Sequence, residues 1–169
     1  MALSDVGKLA LQREHTDLAA LVAAAVERQR AAFLRKSIGL DLVPSAAPDA
    51  AWSAWVDPAR LHQVLANVLD NAAKYVPSGG RVDVQLTREG NQHVGITIDD
   101  NGPGVAEADL PRLFDRFYRA GHRDARGSGL GLALCQRIVE LHGGTIAASR
   151  SALGGLRIQI LVPTQEGDA

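Results

Sequence analysis

Val82, Val84 and Leu86 alternate with polar residues, and beyond the turn residues Glu89, Gly90 and Asn91 the apolar positions Val94, Ile96 and Ile98 do the same. Alternation of period two on both sides of a turn is the pattern of a β-hairpin with one apolar face. Such a hairpin is not stable alone in water, so the rest of the chain has to cover that face. Helical stretches supply the cover. Leu18, Leu21, Val22, Ala25, Val26 and Phe33 recur at helical spacing behind Asp17 or Thr16, which predicts a capped helix to about residue 36. Asp57 followed by Pro58 starts a second helix, because the side-chain oxygen accepts a free N–H and proline fits the first turn. It should run to about residue 75 and stop before Pro77 and the Gly79-Gly80 pair. A third is expected from about residue 129 to 142, ended by Gly143 and Gly144.

Further strands are expected at 38–43 and 51–56, across a loop holding Pro44 and Pro48, and at 146–150 and 156–162, joined by a turn at Gly154-Gly155. Helices and strands mix without regular βαβ alternation. The class that fits is α+β, a two-layer sandwich of one sheet with helices on one face.

At 169 residues, 46% of them hydrophobic, the chain can bury one good core and not comfortably two. A formal net charge of −1 gives no global case for nucleic acid or an anionic membrane surface. The longest clean apolar run, 18–26, is far short of the ~20 residues of a membrane span. No secretory signal is visible at the start. The single cysteine, Cys135, excludes an internal disulfide and reads as a small core residue.

The second helix has a polar edge opposite its apolar stripe. Leu61, Val64, Leu65, Val68, Leu69 and Ala72 make the stripe, while Arg60, Gln63, Asn67, Asn71 and Lys74 share the other side at spacings of three and four. Asparagine costs about half a kcal/mol against alanine inside a helix, so two of them one turn apart ask for a reason. One reason is a ligand: the Asn71 amide oxygen would coordinate a Mg²⁺ carrying phosphates, with Lys74 as a point charge on the same phosphates. The other is a solvated polar stripe, and the helix by itself leaves both open.

Two glycine strings follow. At 99–104, DDNGPG ends the hairpin's second strand in a turn, with Gly102 and Gly104 offering bare backbone. By itself it is equally a plain turn. A carboxylate there can accept a hydrogen bond from the exocyclic amine of adenine, a donor that guanine lacks at that position, which makes Asp100 the candidate adenine reader. At 127–131, GSGLG opens the third helix, where free N–H groups and the positive dipole end suit phosphate oxygens. Gly127, Ser128, Gly129, Leu130 and Gly131 are therefore the candidate phosphate cradle. The string is not the dinucleotide fingerprint, since its third glycine comes one position early, and no GxxxxGK loop occurs. Between the strings, Arg112, Arg116, Arg119, His122, Arg123 and Arg126 outnumber Asp115 and Asp124. Residues 118–126 are expected to form a basic loop that a triphosphate orders, with Phe114 and Phe117 anchoring its near end. A charge run of this kind is otherwise a solvated face.

Taken in order, these motifs resemble the catalytic and ATP-binding domain of bacterial two-component sensor histidine kinases, within the wider superfamily of gyrase, Hsp90 and MutL ATPases. QVLANVLDNAAKYVP at 63–77 is similar to the family's N box, DDNGPG to its first glycine box and LFDRFYR at 113–119 to its F box. GSGLGLALC at 127–135 resembles the second glycine box, and VELHGGTI at 139–146 the segment that closes the domain. The resemblance implies a Bergerat-type ATP-binding fold, a mixed sheet of about five strands with three helices on one face, and ATP or ADP with Mg²⁺ as ligands. It implies Mg²⁺ coordination by Asn71, phosphate contacts from Asn67 and Lys74, and adenine packing by Tyr75. Asp100 would hydrogen-bond adenine, and the backbone of Gly127, Gly129 and Gly131 would bind phosphate. Asn67, Lys74 and the lid residue Arg119 are the expected catalytic residues.

Two departures shape the expected activity. In gyrase and Hsp90 relatives a glutamate four residues before the magnesium asparagine activates water, whereas here that position is Asn67. Hydrolysis should then be slow, and phosphoryl transfer to another group is favoured. The family's phosphoacceptor histidine box is also missing. The expectation is a catalytic domain at 17–164, a linker at 1–16 from a separate dimerisation and histidine phosphotransfer domain of the same parent kinase, and a disordered tail at 165–169. The parent would signal to a response regulator and be anchored in the bacterial inner membrane, with this domain in the cytoplasm. The domain itself is expected to be a monomer that binds no nucleic acid. An anti-sigma-factor-type serine kinase and a non-catalytic nucleotide-binding module are the alternatives from other classes.

Overall fold

The computed structural model describes residues 10–47, 51–115, 118 and 131–167. In chain order its elements are β1 (Glu14–Asp17), α1 (Leu18–Arg35), β2 (Gly39–Val43), β3 (Ser53–Val56), α2 (Pro58–Tyr75), β4 (Arg81–Glu89) and β5 (His93–Asp100). A 3-10 turn (Glu107–Arg112), α3 (Gly131–Leu141), β6 (Thr145–Arg150) and β7 (Leu156–Pro163) complete it.

Cross-strand pairs show why the alternation folds as it does. In the β4–β5 hairpin Val84 faces Ile98 and Leu86 faces Ile96. The other side of β5 pairs with β7, so that Ile96 meets Ile160 and Ile98 meets Ile158. β6 continues the row with Ile146 opposite Ile160, and parallel β2 closes the other edge with Leu40 opposite Val82. The sheet is therefore mixed and five-stranded, in the order β2-β4-β5-β7-β6. Its apolar rows join the buried stripes of all three helices in one cluster, with Leu61, Leu65 and Leu69 of α2 at its centre. Deleting one of those leucines to alanine would cost about 2–5 kcal/mol. That anchorage holds the opposite, polar edge of α2 in a fixed place.

The helix boundaries follow their caps. Asp17 accepts hydrogen bonds from the N–H groups of Ala19 (3.0 Å) and Ala20 (3.3 Å), and Asp57 accepts one from Arg60 (3.2 Å) with Pro58 in the first turn. At the other end of α2, Lys36 Nζ donates to the carbonyl of Ala73 (2.9 Å).

Two elements carry no periodic signal in the sequence. β1 pairs antiparallel with β3 as a separate two-stranded sheet, in which His15 stands opposite Trp55. Glu14, His15, Thr16 and Asp17 carry no apolar alternation, so only the partner strand and the bond from Leu18 N–H to the Trp52 carbonyl (2.8 Å) make them extended. The 3-10 turn is too short and too polar to show a period, and Pro111 lies inside it.

One junction ties the entering chain to two helices. The N–H of Gln12 donates to Asp57 Oδ2 (2.9 Å), and the Arg13 guanidinium donates to the carbonyl of Leu141 at the end of α3 (2.5 Å). His142 is buried beside them. Its Nε2 accepts from the Asp57 N–H (3.0 Å) and its Nδ1–H donates to the Ile138 carbonyl (2.8 Å), which requires the neutral ring. Burial lowers its pKa below the ordinary value of 6.5.

Candidate nucleotide site

A cleft opens between the C-terminal half of α2 and the end of β5. Its walls come from three places. Val68, Asn71, Ala72 and Tyr75 face it from α2, with Val76 just beyond, Ile98 and Asp100 from β5 with Pro103 and Gly104 after the strand, and Leu156 and Ile158 from β7. The lining is mostly aliphatic, with one aromatic ring, one amide and one carboxylate. That suits a flat, largely apolar ring read at one polar edge.

Asp100 supplies that edge. Its Oδ1 accepts backbone hydrogen bonds from Gly102 (2.9 Å) and Leu156 (3.1 Å). Among the described residues both structural bonds fall on Oδ1, which leaves Oδ2 for a donor in the cleft. Neighbouring Asp99 points to the other side of β5 and is consumed structurally, by the Arg157 guanidinium at 2.8 and 3.2 Å and the Ser151 hydroxyl at 2.7 Å. Asn101 closes the start of β4, its Oδ1 accepting from the Arg81 N–H (2.7 Å). Gly104 has φ +72°, a left-handed conformation that carries a side chain only with strain.

Of the residues singled out in the sequence, Asn71, Tyr75, Asp100 and Gly104 come together around the cleft, and Gly102 touches it through Asp100. Asn67 and Lys74 do not line it. Lys74 is exposed on the last turn of α2. Asn67 lies one turn before Asn71, beside the thiol of Cys135 on α3, which donates to the Val64 carbonyl (3.6 Å). Cys135 is the expected core residue: fully buried, with burial pushing its thiol up to about 12 and the neighbouring Asn67 side chain opposing that rise. Gly131 is the first residue of α3. Arg119, Gly127, Ser128, Gly129 and Leu130 lie outside the described residues, as does Phe117. Phe114 is buried in the core. Tyr118, the expected start of the basic loop, has its hydroxyl donating to Asp109 Oδ1 and Arg112 4.6 Å over its ring, and the rest of that loop, 119–126, lies outside the described residues. The hydrogen bond to Asp109 is the main cause of its raised pKa.

Sequence reasoning missed the cleft's far wall. Leu156 and Ile158 carry the alternation of an ordinary core strand, and nothing in that pattern says that one end of the strand meets a ligand.

The family described as histidine kinase-, DNA gyrase B- and HSP90-like ATPase matches residues 56–166, most of the chain and all of this cleft. The chain belongs to that family. Signal transduction histidine-protein kinase BaeS of Escherichia coli (strain K12) is 36% identical over 168 residues, which is 98% of this chain and 35% of BaeS. The chain thus spans about a third of that relative. The solved mycobacterial sensor histidine kinase MprB matches with a TM-score of 0.76 at 32% identity, covering 89% of this chain and 97% of that one. The ATP binding domain of PrrB from Mycobacterium tuberculosis matches with a TM-score of 0.72 at 30% identity, covering 92% and 99%. The α+β expectation is confirmed, and the histidine kinase ATPase branch is where the relatives lie.

Proposed function

We propose that this chain is the ATP-binding catalytic domain of a sensor histidine kinase, which transfers the γ-phosphoryl of ATP to a histidine on a separate dimerisation domain of its parent. The observation that carries the reading is the carboxylate of Asp100 on the edge of an apolar cleft, pinned by Oδ1 and, among the described residues, unbonded at Oδ2. A charged acceptor in that position selects a purine that offers an amine. Adenine would lie against Val68, Ala72 and Ile158, with the Tyr75 ring packing beside it. The phosphates then leave the cleft past Asn71.

Magnesium fits this donor set. Mg²⁺ keeps several waters and takes one or two protein oxygens together with substrate phosphates. The amide oxygen of Asn71 is such a ligand, and the bound ion would neutralise phosphate charge. Lys74, and Arg119 by analogy of sequence, would add charge to the same phosphates, and the N–H groups of Gly127 to Gly131 would hold their oxygens.

Asn67 sets the outcome of the reaction. An amide cannot take a proton from water, and this one lies beside the Cys135 thiol. Without a base over the γ-phosphate, hydrolysis is slow and the phosphoryl waits for an acceptor brought by another domain. The parent would be membrane-anchored with this domain on the cytoplasmic side, and would pass the phosphoryl on to a response regulator. Among the described residues no helix is long and apolar enough to cross a membrane. Calorimetric titration tests the binding half: saturable one-to-one binding of ATP, tightened by Mg²⁺, is expected, and no binding at millimolar ATP would contradict it.

A further inference from the structure

Among the described residues, something holds Asp100 by Oδ1 and by its main chain and leaves Oδ2 without a bond. That something is the turn between β6 and β7. The N–H of Gly155 donates to the Asp100 carbonyl (3.1 Å), and the next N–H, from Leu156, donates to Asp100 Oδ1 (3.1 Å). The turn is itself braced by Ser151, which is buried. Its N–H donates to the Gly155 carbonyl (2.8 Å), its carbonyl accepts from Gly154 (3.0 Å), and its Oγ accepts from the Leu153 N–H (3.0 Å). The hydroxyl proton goes to Asp99 Oδ1 (2.7 Å). Ser151 thus uses its backbone to close the turn and its side chain to bolt the turn onto the residue before Asp100.

The fit is close enough to exclude a side chain. A Cβ on Gly155 would stand 2.0 Å from Asp100 Oδ1 and 2.6 Å from its carbonyl oxygen, both far inside contact distance. Neither can withdraw freely, because Oδ1 also holds the Gly102 N–H and the carbonyl belongs to β5. The sheet ladder does not require this arrangement, since its last β5–β7 pair is Asp99 with Arg157.

We propose that the β6–β7 turn is the positioning element of base recognition, with Ser151 and Gly155 aiming the Asp100 carboxylate at the purine amine. The proposal rests on the reading of the cleft as an adenine site. Ser151 and Gly155 touch no nucleotide in it. They act through Asp100, and Leu156, which follows them, carries the effect into the cleft wall.

The test compares ATP with inosine triphosphate, whose base has a carbonyl where adenine has the amine. Both nucleotides are titrated into the wild type, Ser151→Ala, Gly155→Ala and Asp100→Asn, with thermal melts alongside. The wild type should prefer ATP by about 10-fold or more. Gly155→Ala should bring that preference to within about 2-fold, as Asp100→Asn does, and Ser151→Ala should narrow it by about 3-fold or more. Loss of folded protein alone would weaken both nucleotides together and leave the ratio standing. An unchanged ratio in Ser151→Ala and Gly155→Ala would overturn the proposal. If Gly155→Ala does not fold, Ser151→Ala, which removes one hydroxyl, decides. A wild type with no preference at all would overturn the adenine reading beneath it, a separate outcome.

Discussion

Asp100→Asn isolates the charge of the adenine reader from its structural work. An asparagine at this position can keep its carbonyl oxygen where Oδ1 now accepts from Gly102 and Leu156, so the turn that holds the residue survives. Its NH₂ then occupies the place of Oδ2. There it would meet the adenine amine donor to donor, in place of a charge-assisted hydrogen bond. Loss of such a bond is worth roughly 1.5–3 kcal/mol, or about 10- to 150-fold in affinity. ATP and ADP should weaken by similar factors, because both carry the base, while inosine triphosphate should weaken less or even gain. Calorimetry on all three nucleotides reads the effect directly. A melting temperature close to wild type is expected, since no packing is removed. Equal affinity of mutant and wild type for ATP would remove Asp100 from the site, and an equal loss for ATP and inosine triphosphate would refute the donor–acceptor argument.

Asn71→Ala should abolish the gain in ATP affinity on adding Mg²⁺ while leaving adenosine binding nearly level, and a variant that still gains with Mg²⁺ would place the metal elsewhere. His142 is neutral when folded and its pKa is lowered by burial, with the Ile138 backbone bond and Asp57 raising it and Arg13 lowering it further. Its contribution to stability is therefore complete above the unfolded value of about 6.5 and is lost as pH falls from there through the lower folded value, at up to about 1.4 kcal/mol per pH unit. Urea midpoints between pH 5 and 8 should show that loss in the wild type and a flatter profile in His142→Gln, and equal slopes would exclude His142 as its source. Cys135, buried and pushed up to about 12, should react with a thiol reagent only after unfolding, so rapid labelling of the native protein would show the α2–α3 contact to be open.

Much of this was legible because apolar period and burial are the same physics. Leu61, Val64, Leu65, Val68 and Leu69 recur at helical spacing and are all buried, and Val82, Val84 and Leu86 alternate and all face the core. Asp57-Pro58 marked a helix start to the residue, because a cap is a local device. β1 was not legible, since four polar residues become a strand only when β3 lies beside them. The candidate site divides in the same way. Asp100 and Asn71 stood out because a carboxylate after a buried strand and paired helical asparagines are locally unexpected. Asn67 looked like their companion by spacing, yet its contact with Cys135 depends on where α3 lies. Ser151 and Gly155 looked like an ordinary turn, because what distinguishes them is a distance to Asp100 across more than fifty residues of chain.

The most direct measurement of the central claim is phosphoryl transfer from γ-labelled ATP with Mg²⁺, with this chain alone and then with the separate dimerisation domain of its parent. The chain's own histidines have other work: His15 packs its ring 4.8 Å from that of Trp55, His62 lies within α2, His93 opens β5 and His142 is locked to Asp57. His122 lies outside the described residues. Alone, the chain should bind ATP and stay unlabelled, because transfer needs an acceptor nitrogen held in line with the γ-phosphate. With the dimerisation domain present, acid-labile and base-stable phosphate should appear on that domain. Acid-stable label on a serine, stable histidine label on this chain by itself, or no transfer in either case would contradict the account.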